Sequence, residues 1–402
     1  MTTTTNSSPG RVDPATLNWK NLGFSYVKTN GHVRYTWRDG KWDNGVFNKD
    51  FDITLDIAAT VLHYGQSCFE GLKAFRMKDG KIRVFRPEVN ARRMQKSCRA
   101  ICMAEPPIDL FLEAVRRAVA ANVDYVPPYG SNGALYIRPF VFGSGANVGL
   151  SPATEYTFMV LVTPVGEYYA GGMGSPTKAL IKHKFDRAAT YGTGTVKCGG
   201  NYAPSLAPTI EAKKKGYTVM LFLDAKENKY VEEFATSNFA ALTAPDANGK
   251  RVYVTPKSGS VLASVTNRSL CELASRRFGW EVERRLLSWD EVKSGNKFTE
   301  VAACGTAVVI TPVAEIHREI GTPKQKQHSS TVPTASADDP FGFDHIDDDA
   351  ENDDISLEVA KIAEPNAKFE GFTQLYDAYR ALQYGELEGW EDYNWLWPAE
   401  GI

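Results

Sequence analysis

The sequence predicts a two-part fold, a smaller N-terminal α+β part followed by a larger mixed α/β part. Three observations predict it. Short β-rich runs separated by turn signals fill residues 33–86. A glycine-rich stretch interrupts the chain at residues 169–176. Beyond it, strand-like and helix-like segments alternate. A chain of 402 residues is long enough for two hydrophobic cores.

In the first part, Trp37-Arg38-Asp39-Gly40 and Met77-Lys78-Asp79-Gly80 set Asp-Gly between strand-like runs, a hairpin signal. Pro87 opens a helix with Val89, Met94 and Ile101 among its apolar positions, and a second helix is expected over residues 110–123. Two β runs follow at 134–142 and 156–162, so the sheet is expected to be mostly antiparallel. The domain boundaries are placed at 1–170 and 177–402, joined by 171–176. In the second part, strands are expected near 179–181, 219–223, 252–255 and 306–312, with helices near 203–215 and 264–278. Residues 1–12 read as a disordered tail, and the polar, acidic stretch at about 322–354 as an exposed insertion. The aromatic run 376–397 should return to pack on the core.

Apolar residues make up 43% and charged residues 23%, as in a soluble globular protein, and no apolar run is long enough to span a membrane. A net charge of -2 favours neither nucleic acid nor anionic membrane as a partner. The six cysteines form no C-x-x-C pair and are expected as reduced thiols. MTTTTNSSPGR lacks a signal-peptide core and an Arg-rich transit pattern, so a cytoplasmic location is expected over a mitochondrial one. The acidic stretch lacks the D-x-D-x-D-G spacing of a calcium loop, and no metal is expected.

The segment carrying chemistry is Tyr191-Gly-Thr-Gly-Thr-Val-Lys197-Cys-Gly-Gly-Asn201-Tyr202. Glycines around a single lysine let the backbone pass close to a ligand, yet a glycine loop bearing a surface lysine is common. The segment resembles the lysine motif of fold-type IV pyridoxal-phosphate enzymes, specifically the branched-chain amino acid aminotransferase family. So do His63-Tyr-Gly-Gln-Ser-Cys-Phe69-Glu-Gly-Leu-Lys-Ala-Phe75-Arg76, Phe85 to Met94, Tyr136-Ile-Arg138-Pro139, Glu233 to Phe239, and Cys304-Gly-Thr306-Ala307. These motifs occur in the family's order.

The resemblance implies pyridoxal 5′-phosphate as cofactor and Lys197 as the Schiff-base lysine and proton shuttle. Glu233 would face the pyridine nitrogen, with Glu232 as the competing register, and Tyr202 the phenolic oxygen. Arg93, Thr306, Thr236 and the helix start at Val265 and Thr266 would complete the cofactor site, leaving Arg92 and Arg268 at the surface. The substrate α-carboxylate is expected at Thr306 and Ala307, and glutamate's distal carboxylate at Tyr136 and Arg138. Tyr64, Phe69, Val148, Leu150 and Tyr168 would line the side-chain pocket. Of these, Tyr64, Val148 and Leu150 would reach in from a second subunit, which implies a homodimer. The implied activity is transamination of branched-chain L-amino acids with 2-oxoglutarate. An aminotransferase of a specialised pathway and a non-catalytic descendant are the alternatives. Three departures bear on substrate: Tyr191 replaces a usual glycine, and Ser264 and Asn267 stand where G-V-T-R is usual. A bulky Tyr191 or a missing arginine near the phosphate site could reshape the pocket, an effect the sequence leaves open.

Overall fold

The computed structural model describes residues 10–166, 173, 175–323, 353–364 and 366–399. Tyr168, residues 169–172 and 174 of the glycine-rich stretch and most of the acidic stretch lie outside the described residues. Residues 1–9 of the expected tail lie outside the described residues, while the Val12 N–H donates to the Lys28 carbonyl at 3.2 Å.

The first sheet uses β1 (His32–Arg38), β2 (Lys41–Trp42), β3 (Val46–Asn48), β4 (Ser67–Phe69), β5 (Leu72–Arg76), β6 (Ile82–Phe85), β7 (Ala134–Gly143) and β8 (Tyr156–Val165). Their order is β6-β5-β7-β8-β1-β2, with β3 on β1 and β4 on β7, and every pair is antiparallel. The Asp-Gly reading of the first hairpin holds: Arg38 pairs with Lys41, and Asp39 (φ 51°) and Gly40 (φ 81°) form the two-residue turn that suits strand twist. One short helix, α1 (Thr60–Tyr64), was not anticipated.

Helices α2 (Pro87–Ala100) and α3 (Ile108–Ala120) cover this sheet. On α3 the buried residues Phe111, Ala114, Val115, Ala118 and Val119 recur at helical spacing. The helix stops three residues before the expected end, and Val123 starts a separate 3-10 turn.

The second sheet comprises β9 (Thr177–Ile181), β10 (Val219–Leu223), β11 (Val231–Phe234), β12 (Ser237–Leu242), β13 (Val252–Pro256), β14 (Glu281–Arg285), β15 (Glu300–Gly305), β16 (Val309–Pro323) and β17 (Asp353–Lys361). The order is β11-β10-β9-β16-β15-β12-β13-β14, and β11 also pairs with β12, so six strands close on themselves. β9 runs parallel to β10 and β16, and β13 to β14, while the remaining pairs are antiparallel. α4 (Leu206–Lys214), α5 (Val265–Phe278), α6 (Trp289–Lys293) and α7 (Glu370–Gln383) accompany it. The final strand, β18 (Leu396–Pro398), joins β6 in the first sheet.

One expected strand needs correction. Residues 306–308 form a turn, and β16 begins only at Val309. The apolar run Ala-Val-Val-Ile reads as continuous β, but Gly305 pairs with Val309, so the chain must reverse between them. Val309 has φ 63°, an unusual conformation for a β-branched residue that stores about 1–3 kcal/mol. A core packed from both sheets joins Phe75, Phe85 and Ala134 to Leu242, Leu270 and Phe372. The aromatic tail does return, with Tyr379, Tyr384 and Trp395 buried in that core.

Candidate active site

A cavity of about 510 Å³ lies between the two sheets, lined from both. Lys197 enters it from the loop before α4, and its backbone is tied at both ends. The Lys197 N–H donates to Ser97 Oγ of α2 at 3.0 Å, and its carbonyl accepts from the Phe69 N–H of β4 at 3.0 Å. Asn201 staples the loop from within: Nδ2 donates to the Thr193 and Val196 carbonyls, both at 2.7 Å, and Oδ1 accepts from Thr193 Oγ1 at 2.6 Å. Of the loop's glycines, Gly194 has the clearest steric need, since a Cβ there would lie 2.2 Å from the Ser260 carbonyl oxygen. Gly199 and Gly200 have room for one. Among the protein's own atoms, packing therefore demands glycine most clearly at position 194.

The Lys197 amine donates to Tyr202 Oη at 2.9 Å and lies 4.6 Å from the centre of the Phe69 ring. Burial, aided by the positive charge of Arg93, lowers its pKa to about 8. Burial also pushes the Tyr202 phenol up, with Glu233 adding to the effect. The amine is thus poised to lose its proton while the phenol keeps its own.

Glu233, on β11, is 4% exposed and receives only donors: Asn238 Nδ2 at 2.5 Å on Oε2, Arg187 Nη2 at 3.0 Å and the Leu262 N–H at 3.3 Å on Oε1. Burial nevertheless raises its pKa to about 7, against the pull of Arg187. Glu232 points elsewhere, accepting from Ser258 and Ser260, and does not border the cavity. The two registers weighed from sequence are therefore distinct in space, and only Glu233 faces the cavity.

Arg93 forms a bidentate pair with Glu70, Nε to Oε1 at 2.7 Å and Nη2 to Oε2 at 2.6 Å, while Nη1 donates to the Ala263 carbonyl at 2.9 Å. Each terminal nitrogen carries two N–H bonds, so one on each is left for a ligand. Arg138 Nη2 donates to Tyr136 Oη at 3.0 Å, and its guanidinium lies 4.9 Å from the Phe69 ring centre. Thr236, Thr306 and Ala307 also border the cavity. The Ala307 carbonyl is held by Lys73 Nζ at 3.0 Å, which fixes the strained turn that presents Thr306. Val265 and Thr266 form the first turn of α5, capped by Ser264, and meet Thr306 across a small adjoining pocket. Arg92 and Arg268 are at the surface, as expected.

Not every expected residue joins this cluster. Tyr64, Val148 and Leu150 are 42%, 81% and 85% exposed and do not border the cavity of their own chain. Tyr64 Oη donates to the Val148 carbonyl, so the first two belong to one surface patch. Tyr191 is 97% exposed, so it does not narrow the pocket as its bulk suggested. Asn267 is 8% exposed and sits behind Asn238 instead of lining the cavity. Sequence reasoning missed Glu70 and Arg187. Glu70 stood in plain view inside Phe-Glu-Gly, whereas Arg187 carried no motif signal.

The donor set fits pyridoxal 5′-phosphate. Spare Arg93 N–H groups, the Thr306 hydroxyl and the free N–H groups opening α5 suit a phosphate. Glu233 suits a protonated ring nitrogen, and Tyr202 a phenolic oxygen. Arg138 and Arg187, both lining the cavity, also have buried Nε atoms with no protein partner among the described residues, which suits an anionic guest. Among the described residues, no cluster of three or more His, Cys, Asp or Glu side chains could hold a metal, and no helix is long and apolar enough to cross a membrane.

The amino-transferase class IV family model matches residues 67–316. The branched-chain-amino-acid aminotransferase of Haemophilus influenzae is 44% identical over 305 residues, covering 75% of this chain and 86% of that protein. Transaminase htyB of Aspergillus rugulosus is 42% identical over 313 residues, covering 76% and 81%. Among solved structures, the branched-chain amino acid aminotransferase of Escherichia coli superposes with a TM-score of 0.66 at 23% identity, covering 92% of this chain and 100% of that one. That of Thermoproteus uzoniensis, with norvaline, gives 0.64 at 19% identity and the same coverage. At such identities the structural likeness speaks to fold alone.

Proposed function

Because this chain belongs to the branched-chain amino acid aminotransferase family of class IV, fold-type IV aminotransferases, we propose that it transfers the amino group of leucine, isoleucine or valine to 2-oxoglutarate, giving branched 2-oxo acids and glutamate. The observation that carries this reading is the Lys197 amine, with its pKa lowered to about 8, in one cavity with Tyr202, Glu233, Arg93 and Arg138. A Cα–H bond is too weak an acid to ionise unaided at neutral pH. Pyridoxal 5′-phosphate, when bound, supplies the electron sink that makes the ionisation accessible.

The protein's own groups do the rest. Lys197 Nζ takes the Cα proton and returns it on the far side of the transfer, which its lowered pKa favours. Tyr202 Oη holds that amine in place and keeps its proton for the cofactor's phenolic oxygen. Glu233, held by donors only, keeps the ring nitrogen protonated. Arg93, steadied by Glu70, binds phosphate together with Thr306 and the first turn of α5, and Thr236 flanks the cofactor.

Arg138, with Tyr136, receives the distal carboxylate of glutamate, while the backbone at Thr306 and Ala307 takes the α-carboxylate. Phe69 forms an apolar wall for the branched side chain. Exposed Tyr64, Val148 and Leu150 are assigned to the active site of a second copy, so the working unit is a homodimer. Tyr168 is assigned to the same side-chain pocket. Neither nucleic acid nor membrane is assigned as a partner, and the cytoplasm is the proposed location.

A second reading is an aminotransferase acting on another amino acid in a specialised pathway. It is favoured by the 42% identity to Transaminase htyB, close to the 44% to the Haemophilus influenzae enzyme. A panel of amino donors assayed with 2-oxoglutarate decides. Fastest turnover of leucine, isoleucine and valine supports the first reading, and none of the three accepted beside an active non-branched donor supports the second.

A further inference from the structure

Behind Glu233 lies a buried polar chain that the activity above does not call upon. Tyr253 Oη donates to Asn267 Oδ1 at 2.8 Å; Asn267 Nδ2 donates to Asn238 Oδ1 at 3.1 Å; Asn238 Nδ2 donates to Glu233 Oε2 at 2.5 Å. Two backbone carbonyls, which can only accept, fix its sense. Leu262 O, 3.2 Å from Asn238 Nδ2, requires that end of the amide to be the donor. Thr255 Oγ1 spends its proton on Phe239 O at 2.7 Å and must accept from Asn267 Nδ2 at 2.8 Å. Every dipole in the chain therefore points its positive end at the Glu233 carboxylate, and such aligned bonds strengthen one another.

We infer that Asn267 is a positioning residue for Glu233: with Tyr253 behind it, it locks the Asn238 amide so that Glu233 is held as a carboxylate for the ring nitrogen. This rests on the assignment of Glu233 to that nitrogen. An apolar residue at 267 would leave Asn238 Oδ1 buried without its donor, so the amide that Leu262 O still orients would be less polarised and held less firmly against the Glu233 carboxylate. Burial, which pushes Glu233 up to about 7, makes the donor chain consequential at neutral pH. The other ionisable groups whose charges act on Glu233 or feel its charge are Arg187, Lys197, Glu232, Tyr202, Arg93 and Cys304, and those beside Tyr253 are Cys271 and Cys304.

The test measures binding of pyridoxal 5′-phosphate and of its analogue with C–H in place of the ring nitrogen, from pH 6 to 9, to the wild-type protein and to Glu233→Gln, Asn267→Leu and Tyr253→Phe. Thermal unfolding reports folding of each variant. Asn267→Leu should lower the preference for the natural cofactor by about three- to tenfold at neutral pH, and Tyr253→Phe by about twofold, with the losses shrinking as pH rises. A loss shared equally by both ligands is what a merely structural role gives, and it overturns the inference. Should Asn267→Leu not fold, Tyr253→Phe decides alone, an unchanged preference counting against the chain. If Glu233→Gln itself leaves the preference intact, the assignment of Glu233 fails instead, which separates the two failures.

Discussion

Glu70 and Glu233, in the cavity region, are 0% and 4% exposed, whereas Val148 and Leu150, on the loop bridged to the α1 region, are 81% and 85% exposed. The first pair sits among complementary charges: Glu70 with Arg93, Glu233 with Arg187. The second pair, with Ile57, Leu62 and Tyr64, leaves large apolar surface in water. The contrast separates two kinds of incompleteness. The cavity wall suits a small anionic molecule, because its own chain has already arranged the charges. The loop patch lacks a macromolecular cover, and a second copy of the same chain is the cover the proposed function assigns to it.

Four measurements can break or sharpen that contrast. The largest effect is expected at the wall. Lys197→Ala should reduce turnover on the order of 10⁴-fold and remove the visible absorption of the loaded protein, read by steady-state kinetics and a spectrum. Glu70→Gln leaves Arg93 without its buried partner and should destabilise the fold by about 3–5 kcal/mol, read by denaturant titration. A change under 1 kcal/mol there would mean that the wall is not built on that pair.

Acidity gives the next effect. With its pKa lowered to about 8, the fraction of neutral Lys197 amine grows with pH and levels off above 8. The rate at which apo-protein captures pyridoxal 5′-phosphate should follow that curve; a midpoint near the ordinary lysine value would contradict the enclosed amine. The smallest change in stability belongs to the patch. Leu150→Asp should alter unfolding free energy by no more than about 0.5 kcal/mol, yet shift the mass seen by light scattering from dimer to monomer. A dimer that survives this substitution argues for a different cover.

Much of the fold was legible because its signals are local. Asp39-Gly40 sets a hairpin, Ser264 caps α5, and Pro87 opens α2. The missed features depend on distant partners. Nothing in Val308-Val309-Ile310 announces a turn until Gly305 is seen paired with Val309. In the site, Lys197, Tyr202 and Glu233 were found by their motifs and do share one cavity. Arg187 went unseen because its role comes from Glu233, 46 positions away in sequence, through a contact of 3.0 Å. Tyr191 misled for the complementary reason: its bulk is evident in the sequence, but the direction it faces is not.

The suspension of Lys197 has a kinetic consequence. Its peptide hangs from Ser97 and Phe69, which belong with the first sheet, while Glu233 stands on β11 of the second. Neither sheet alone holds both charges, so the site comes into existence only when the two halves dock. During refolding, backbone order measured by far-ultraviolet circular dichroism should therefore precede the visible band, and the delay between them times the docking step itself. The bound cofactor is thereby a built-in clock for tertiary assembly.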